Sequence, residues 1–515
     1  MRSTYRDGVV VQLQVDGVQL ELVDDGISLL EALRDRLGIR SPKDGCSPQG
    51  QCGCCTVLVD GTPRVACVTP LRRVAGRTIT TLDGMTPVER DMWAAAFAAA
   101  GASQCGFCTP GIIVRLAALA DRSQPAVEQA LLAHLCRCTG WRTIVEAAAA
   151  VGAPAVPRDL EAAERRATVE GGVHQRVGPD VALGEGGFAD DTAPLDALVA
   201  VPDGAGGWAV GETLGEARRV AGKVQGRRST AQVRHPLELP RGQWSFTLRT
   251  TWVEPAYLEP DASWCVPGGD PISPLANGGA FGGKADSPAP AAARRLADEH
   301  CRPVRVLLSR EDVVRMGPKR PPIGAGVMSN GTGVVRVART PGIVERIRAV
   351  APDLTVEEVD VVGPPTSCAP RAAGWAEAAV LLAAVTGDPV VRSPAGAQAE
   401  AEVRPDGSLR VRVSCGEVLD AVVLRSYCIG AAHMGLGWVR SEGIGTDDDG
   451  DPQDLTIRSF GILRARDMPA VEVDIDSDGG PPVNGSDAVF AAVAAAVWRA
   501  DGFAPDWPTQ RRSGT

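Results

Sequence analysis

Aromatic residues are scarce in this sequence: phenylalanine, tryptophan and tyrosine make up 4% of its 515 residues, and only 3 are tyrosine. The cores must therefore rest on valine, leucine and alanine. A surplus of positive charge is also lacking, since 63 acidic residues oppose 53 basic ones for a net charge of −10. That argues against a general nucleic-acid binder, which needs a concentrated positive field. No apolar run reaches the ~18–20 residues that span a bilayer. The most apolar stretch, from Ala488 to Trp498, falls well short of that length. The first residues carry no apolar segment ahead of a cleavage site, so a cytoplasmic location is the expectation. No internal repeat is evident. Disorder is excluded by an apolar share of 44%.

What is present in quantity is glycine (59), proline (39) and, above all, cysteine (14). Nine cysteines lie in tight groups between Cys46 and Cys138. In a reducing compartment such clusters indicate metal or redox chemistry rather than disulfides. Cys265, Cys301, Cys368, Cys415 and Cys428 stand singly and read as small buried apolar residues.

The chain divides into four stretches. In residues 1–83, strands at 9–15 and 18–23 flank Asp16-Gly17, a strong hairpin turn. Ser28 can cap a helix bearing Leu29, Leu30, Leu33 and Leu37. A second hairpin, 56–59 with 64–68, turns at Asp60-Gly61, and a short strand follows at 77–81. Two hairpins around one helix predict a β-grasp domain. Residues 84–152 predict four helical segments with cysteine pairs at helix ends. Residues 153–180 read as a linker, prolines first and mixed charge after. Residues 181–515 alternate short strands with alanine-rich helices at 287–300, 372–385 and 486–500, an α+β region.

The segment Gly45-Cys46-Ser47-Pro48-Gln49-Gly50-Gln51-Cys52-Gly53-Cys54-Cys55 sets thiols along one glycine-rich loop, and Cys67 follows on the far arm of the second hairpin. A 2Fe-2S cluster needs four thiolates, two per iron, and Cys46, Cys52, Cys55 and Cys67 supply them. Glycines let the backbone approach closely and aim N–H groups at the cluster sulfurs. Zinc also takes four cysteines, but usually on paired C-x2-C hairpins rather than a long glycine-rich loop. Cys54 competes with Cys55; the spacing from Cys52 favours Cys55. Downstream, Gln104-Cys105-Gly106-Phe107-Cys108-Thr109-Pro110-Gly111 is followed by Cys136-Arg137-Cys138-Thr139-Gly140. Cys105, Cys108, Cys136 and Cys138 make a second set of four. Zinc is the alternative here too, although C-x-C pairing is less usual for it.

Together, GCSPQGQCGCCTVLVDG with Cys67, and QCGFCTPG with CRCTGW, resemble the iron–sulfur subunit of the molybdenum hydroxylases, the xanthine dehydrogenase and aldehyde oxidase family. The resemblance covers residues 8–151. Five residues, Ser47 to Gln51, stand between the first two cysteines where the family has four. It implies that the Cys105 set lies next to a pterin and the Cys46 set further out. Gln104 matches the glutamine that hydrogen-bonds the pterin in relatives. Beyond residue 180, Leu258-Glu259-Pro260 and Gly278-Gly279-Ala280-Phe281-Gly282-Gly283-Lys284 are similar to segments of the family's molybdenum-binding subunit. Ser309-Arg310-Glu311-Asp312, Pro364 to Gly374 and Trp438 to Glu442 follow in family order. By this resemblance Gly278, Gly279, Phe281, Gly282 and Gly283 approach a molybdenum–pterin cofactor, in this chain or at an interface with a partner. The departures are that the region is about half the family's length, that Ala372 replaces a glycine, and that Ser486-Asp487 stands where the family has Gly-Glu. Asp487 is the weak candidate for a catalytic base, one methylene shorter than the glutamate it replaces. No glycine-rich FAD-binding segment is evident.

Three functions compete. The leading one is an iron–sulfur subunit that passes electrons from a molybdopterin site through two 2Fe-2S clusters to an acceptor. It implies a larger molybdopterin-binding catalytic partner, with a flavin subunit or another acceptor beyond. The second is a compact, self-sufficient molybdenum hydroxylase with Asp487 or Glu442 as base. The third is a non-catalytic metal-binding or cofactor-insertion protein.

Overall fold

The computed structural model describes residues 9–154, 157–222, 232–275, 277–453 and 455–510. β1 (Val9–Val15) and β2 (Val18–Asp24) form an antiparallel hairpin whose turn residues, Asp16 and Gly17, both have positive φ, as a tight twisted turn demands. Ser28 and Glu31 form a reciprocal capping box. The helix expected over Leu29 to Leu37 runs one α-turn, Leu29–Glu31, and then widens into a π-turn, Ala32–Arg36. Arg34, in that wider turn, is buried and donates to Pro42 O and to the carboxylates of Asp190 and Asp191. β3 (Thr56–Val59), β4 (Thr62–Val65) and β5 (Thr78–Thr80) complete a sheet of order β2-β1-β5-β3-β4, with β1 and β5 parallel. This is the β-grasp arrangement. The second hairpin arm ends at Val65 rather than at 68, and Cys67 sits in a 3-10 turn, Ala66–Val68.

The helices Pro87–Ala100, Thr109–Ala117, Gln124–Ala130 and Arg142–Ala150 follow. Thr86 and Glu89 cap the first, and Cys108 stands immediately before the second. The stretch read as a linker instead contains a helix, Leu160–Gly171, N-capped by Asp159. Its Ala163 and Ala167, four apart on one face, pack against Val423 and Tyr427. That small apolar stripe was hidden among the charges around it. Ala155 and Val156 of this stretch lie outside the described residues.

The C-terminal strands are β6 (Leu198–Pro202), β7 (Trp208–Gly211), β8 (Phe246–Arg249), β9 (Ala262–Cys265), β10 (Val304–Leu307), β11 (Ile323–Val327), β12 (Gly333–Ala338), β13 (Leu354–Val359), β14 (Val390–Arg392), β15 (Gln398–Val403), β16 (Leu409–Ser414) and β17 (Val471–Asp476). They form three mixed sheets, β7-β6-β10-β9, β13-β12-β11-β8 and β14-β15-β16-β17. The helices expected in this region are Ala289–His300, Trp375–Thr386 and Ser486–Ala500. Sequence patterning missed a fourth, Ala421–Arg440, because Gly430, Gly435 and Gly437 interrupt its apolar run. Those glycines are close-approach sites. A Cβ at Gly430 would lie 1.8 Å from Cys138 O, and one at Gly435 would lie 2.7 Å from Phe490 O. No helix among the described residues is long and apolar enough to cross a membrane. Of the five single cysteines, Cys265, Cys415 and Cys428 are buried, Cys368 is partly exposed and Cys301 is exposed.

Two candidate iron–sulfur sites and the region that covers them

In the β-grasp domain Cys46, Cys52, Cys55 and Cys67 are all buried. The Cys46 thiol meets those of Cys52 and Cys67, and Cys67 also meets Cys55. Cys46/Cys52 and Cys55/Cys67 thus stand as two adjoining pairs. Backbone N–H groups of Gln49 and Gln51 point at Cys46 Sγ at 3.2 and 3.5 Å, and that of Cys67 at Cys55 Sγ at 3.4 Å. Such donors stabilise thiolate charge. Gly45 belongs to the same cradle, since a Cβ there would stand 3.1 Å from Cys52 Sγ, from Leu258 O and from the Phe107 ring. Cys54 is buried as well, against Cys52; the Cys52 hydrogen bond favours its thiolate, but burial and the thiols around it outweigh that and raise its pKa. Its electrostatic neighbours include Cys136 of the other set, which puts it between the two groups.

In the helical domain the Sγ atoms of Cys105 and Cys138 are 3.7 Å apart, and the thiols of Cys108 and Cys136 hydrogen-bond each other. The Cys108 contact draws the Cys136 thiol down to about 7 against the opposing effect of burial. Thr139 Oγ1 lies 3.1 Å from Cys136 Sγ. Of the eight thiols, only Cys105 is partly exposed. Among the described residues no three His, Cys, Asp or Glu side chains converge on a point as ligands of a single ion would. Two adjoining pairs per site, with backbone donors at the sulfurs, suit two irons with two thiolates each. The residues fit 2Fe-2S clusters.

The C-terminal region covers the inner set. Leu258, Glu259, Gly278, Gly279 and Lys284 line one small cavity with Cys105, Cys108 and Cys138. Glu259 pairs with Lys284 at 2.8 Å, and burial pushes its carboxyl up to about 7. The Gln104 amide donates to Cys138 O at 3.0 Å and to Ser426 Oγ at 2.9 Å. Arg137, between Cys136 and Cys138, is buried and meets Glu442 with Nη2 to Oε2 at 2.8 Å. Asp487, in the first turn of the helix Ser486–Ala500, pairs with Arg371 at 2.9 Å. Both carboxylates considered as bases are therefore held by arginines. Ala372 has φ +56, a left-handed backbone that explains why a glycine suits this position. Sequence reasoning missed Ser426 as a neighbour of the inner set, because the helix that carries it was not foreseen, and it named Glu442 without its partner Arg137.

A β-grasp domain and a helical domain, each with four thiols in two pairs, are the makings of an iron–sulfur protein with room for a cluster in each. Residues 81–149 match the 2Fe-2S binding domain family. The chain is 35% identical over 139 residues to the nicotinate dehydrogenase small FeS subunit of Eubacterium barkeri, covering 26% of this chain and 88% of that protein. It is 36% identical over 154 residues to the xanthine dehydrogenase iron-sulfur-binding subunit of Escherichia coli O157:H7, covering 27% and 92%. A 40% identity over 162 residues to the aldehyde oxidoreductase of Megalodesulfovibrio gigas covers 29% of this chain, and the match spans only 18% of that relative. The chain belongs to the xanthine dehydrogenase-type molybdenum hydroxylase family, through its iron–sulfur portion. The likeness in fold extends further: the solved aldehyde oxidoreductase of Desulfovibrio gigas superposes with a TM-score of 0.69 at 14% identity, over 97% of this chain and 99% of that one.

Proposed function

We propose that this chain carries electrons for a molybdenum hydroxylase-type oxidoreductase, from a molybdopterin site in a larger partner chain to a flavin subunit or another acceptor. The observation that carries this reading is the pair of complete four-thiol sets in adjoining domains. A bound 2Fe-2S cluster takes up and releases one electron at a time. The residues supply the rest. The amides of Gln49, Gln51 and Cys67 stabilise the charge gained on reduction of the outer site. Cys105, the partly exposed ligand, makes the inner site the point of entry. Electrons then pass to the Cys46 set, with Cys54 buried between the two. The self-sufficient hydroxylase is disfavoured, because Asp487 and Glu442 are both paired with arginines.

Iron analysis and electron paramagnetic resonance test this. The expected result is about four irons per chain, no stoichiometric zinc, and two distinct reduced-cluster signals. Cys136→Ser should remove one signal and leave the other. Loss of both signals from a folded variant, or of neither, contradicts the ligand assignment.

A further inference from the structure

We propose that the C-terminal region is a cap of protein over the inner cluster and that no pterin cofactor binds within it, an inference that rests on the two-cluster reading above. The glycine loop is the first observation. Its glycines do not face an open cradle; they press on this chain's own atoms. A Cβ at Gly278 would lie 2.4 Å from the Gln175 amide, and one at Gly282 would lie 1.8 Å from Ala369 O. At Gly279 it would meet Cys105 Sγ at 3.0 Å and Cys138 Sγ at 3.3 Å. The loop backbone therefore lies against the cluster thiols, where an intervening pterin would have to sit.

The second observation is volume. Two cavities that the loop lines hold about 10 and about 20 Å³, room for a water molecule. A pocket for an organic cofactor measures roughly 300 Å³ or more.

The third is charge. A phosphate-bearing cofactor needs unpaired cations, and the cations that line these two cavities are already matched. Lys284 meets Glu259 at 2.8 Å, Arg320 meets Glu377 at 2.6 Å and Arg371 meets Asp487 at 2.9 Å. Arg137 and Arg310 are held by Glu442 and Glu254. To admit an anion, these buried pairs would have to open and leave carboxylates unpaired.

The test uses the full chain, made in a host that synthesises molybdenum–pterin cofactors. Molybdenum is measured by mass spectrometry, and pterin by fluorescence after oxidative release. Expected are substoichiometric molybdenum and no pterin beside a full iron complement. Gly279→Ala should lose the inner-cluster signal and keep the outer one, because the new methyl meets the inner thiols. One molybdenum and one pterin per wild-type chain would overturn the proposal, as would a Gly279→Ala chain that keeps both cluster signals. The wild-type measurement decides even if the variant does not fold. A low iron content would instead count against the two-cluster reading and is read out separately.

Discussion

The Arg137–Glu442 pair offers the sharpest perturbation. Arg137 stands between Cys136 and Cys138, and the side chains of Arg137 and Glu442 are 2% and 1% exposed. The guanidinium also donates from Nε to Pro255 O at 2.9 Å. Glu442→Gln keeps the shape and removes the negative charge, leaving a positive charge buried without a counter-ion. Breaking a buried pair in this way costs about 3–5 kcal/mol. The same charge now faces the inner cluster alone and favours its reduced form. Each kcal/mol of that interaction raises a one-electron potential by about 40 mV. Denaturant unfolding, followed through the clusters' visible absorbance and through circular dichroism, reads the first effect. A potentiometric titration followed by paramagnetic resonance reads the second, and only the inner potential should rise. The double variant Arg137→Met/Glu442→Met removes both charges and should regain most of the lost stability. If the single and double variants lose the same stability, side-chain packing rather than charge compensation holds this position, and the reasoning is refuted.

Other expectations follow from single contacts. His433 is buried and its pKa falls to about 3, first through burial and then through Arg137. The unfolded chain therefore binds the extra proton between pH 6.5 and 3, so stability present at pH 7 is lost as pH falls, by about 2 kcal/mol at pH 5. The drop in denaturant midpoint between pH 7 and 5 should be smaller in His433→Gln than in the wild type; equal drops would show that another group carries it. Cys54→Ala should retain both cluster signals while Cys55→Ser loses the outer one, and the reverse result would exchange the ligand assignment. Ala372→Gly relieves the left-handed backbone at φ +56 and should stabilise by up to about 1 kcal/mol, read from the thermal midpoint with the clusters loaded.

The β-grasp and helical domains were legible because their chemistry is local. Turns at Asp16-Gly17, the cap at Ser28 and the C-x2-C spacing at Cys105 each declare themselves within a few residues. Cys67, expected on the far arm of the second hairpin, lies instead in a 3-10 turn just past it, beside the thiols of Cys46 and Cys55. What was illegible depends on distant partners. The helix Ala421–Arg440 hid behind three glycines whose purpose appears only when Cys138 O and Phe490 O are brought against them. The helix Leu160–Gly171 hid behind charges because Arg166 and Glu170, both fully buried, satisfy each other. Mixed charge suggested a solvated linker, and pairing turned it into an interior element. The same holds for Glu442, whose partner Arg137 is 305 residues away.

The cap and the inner cluster are joined by backbone approach more than by charge. On the cluster side, a Cβ at Gly140 would stand 2.5 Å from Ile429 O. On the cap side, Gly279 rests against the thiols of Cys105 and Cys138, and Gly430 against the carbonyl of Cys138. The amide of Gln104 then bridges Cys138 O to Ser426, and Ser426 Oγ donates in turn to Gly101 O at 2.6 Å. Buried ion pairs are weak evidence for stability, since apolar residues of equal volume often serve as well. Close backbone contacts have no such substitute, because any side chain at Gly279 or Gly430 pushes the two parts apart. Cluster ligation and cap docking are thus one packing problem: the loop that holds Cys138 in place is the surface on which the helix Ala421–Arg440 rests. Loss of the inner cluster should therefore loosen that helix first. Hydrogen exchange at its amides, compared between wild type and Cys136→Ser, should rise there while β14 to β17 stay protected.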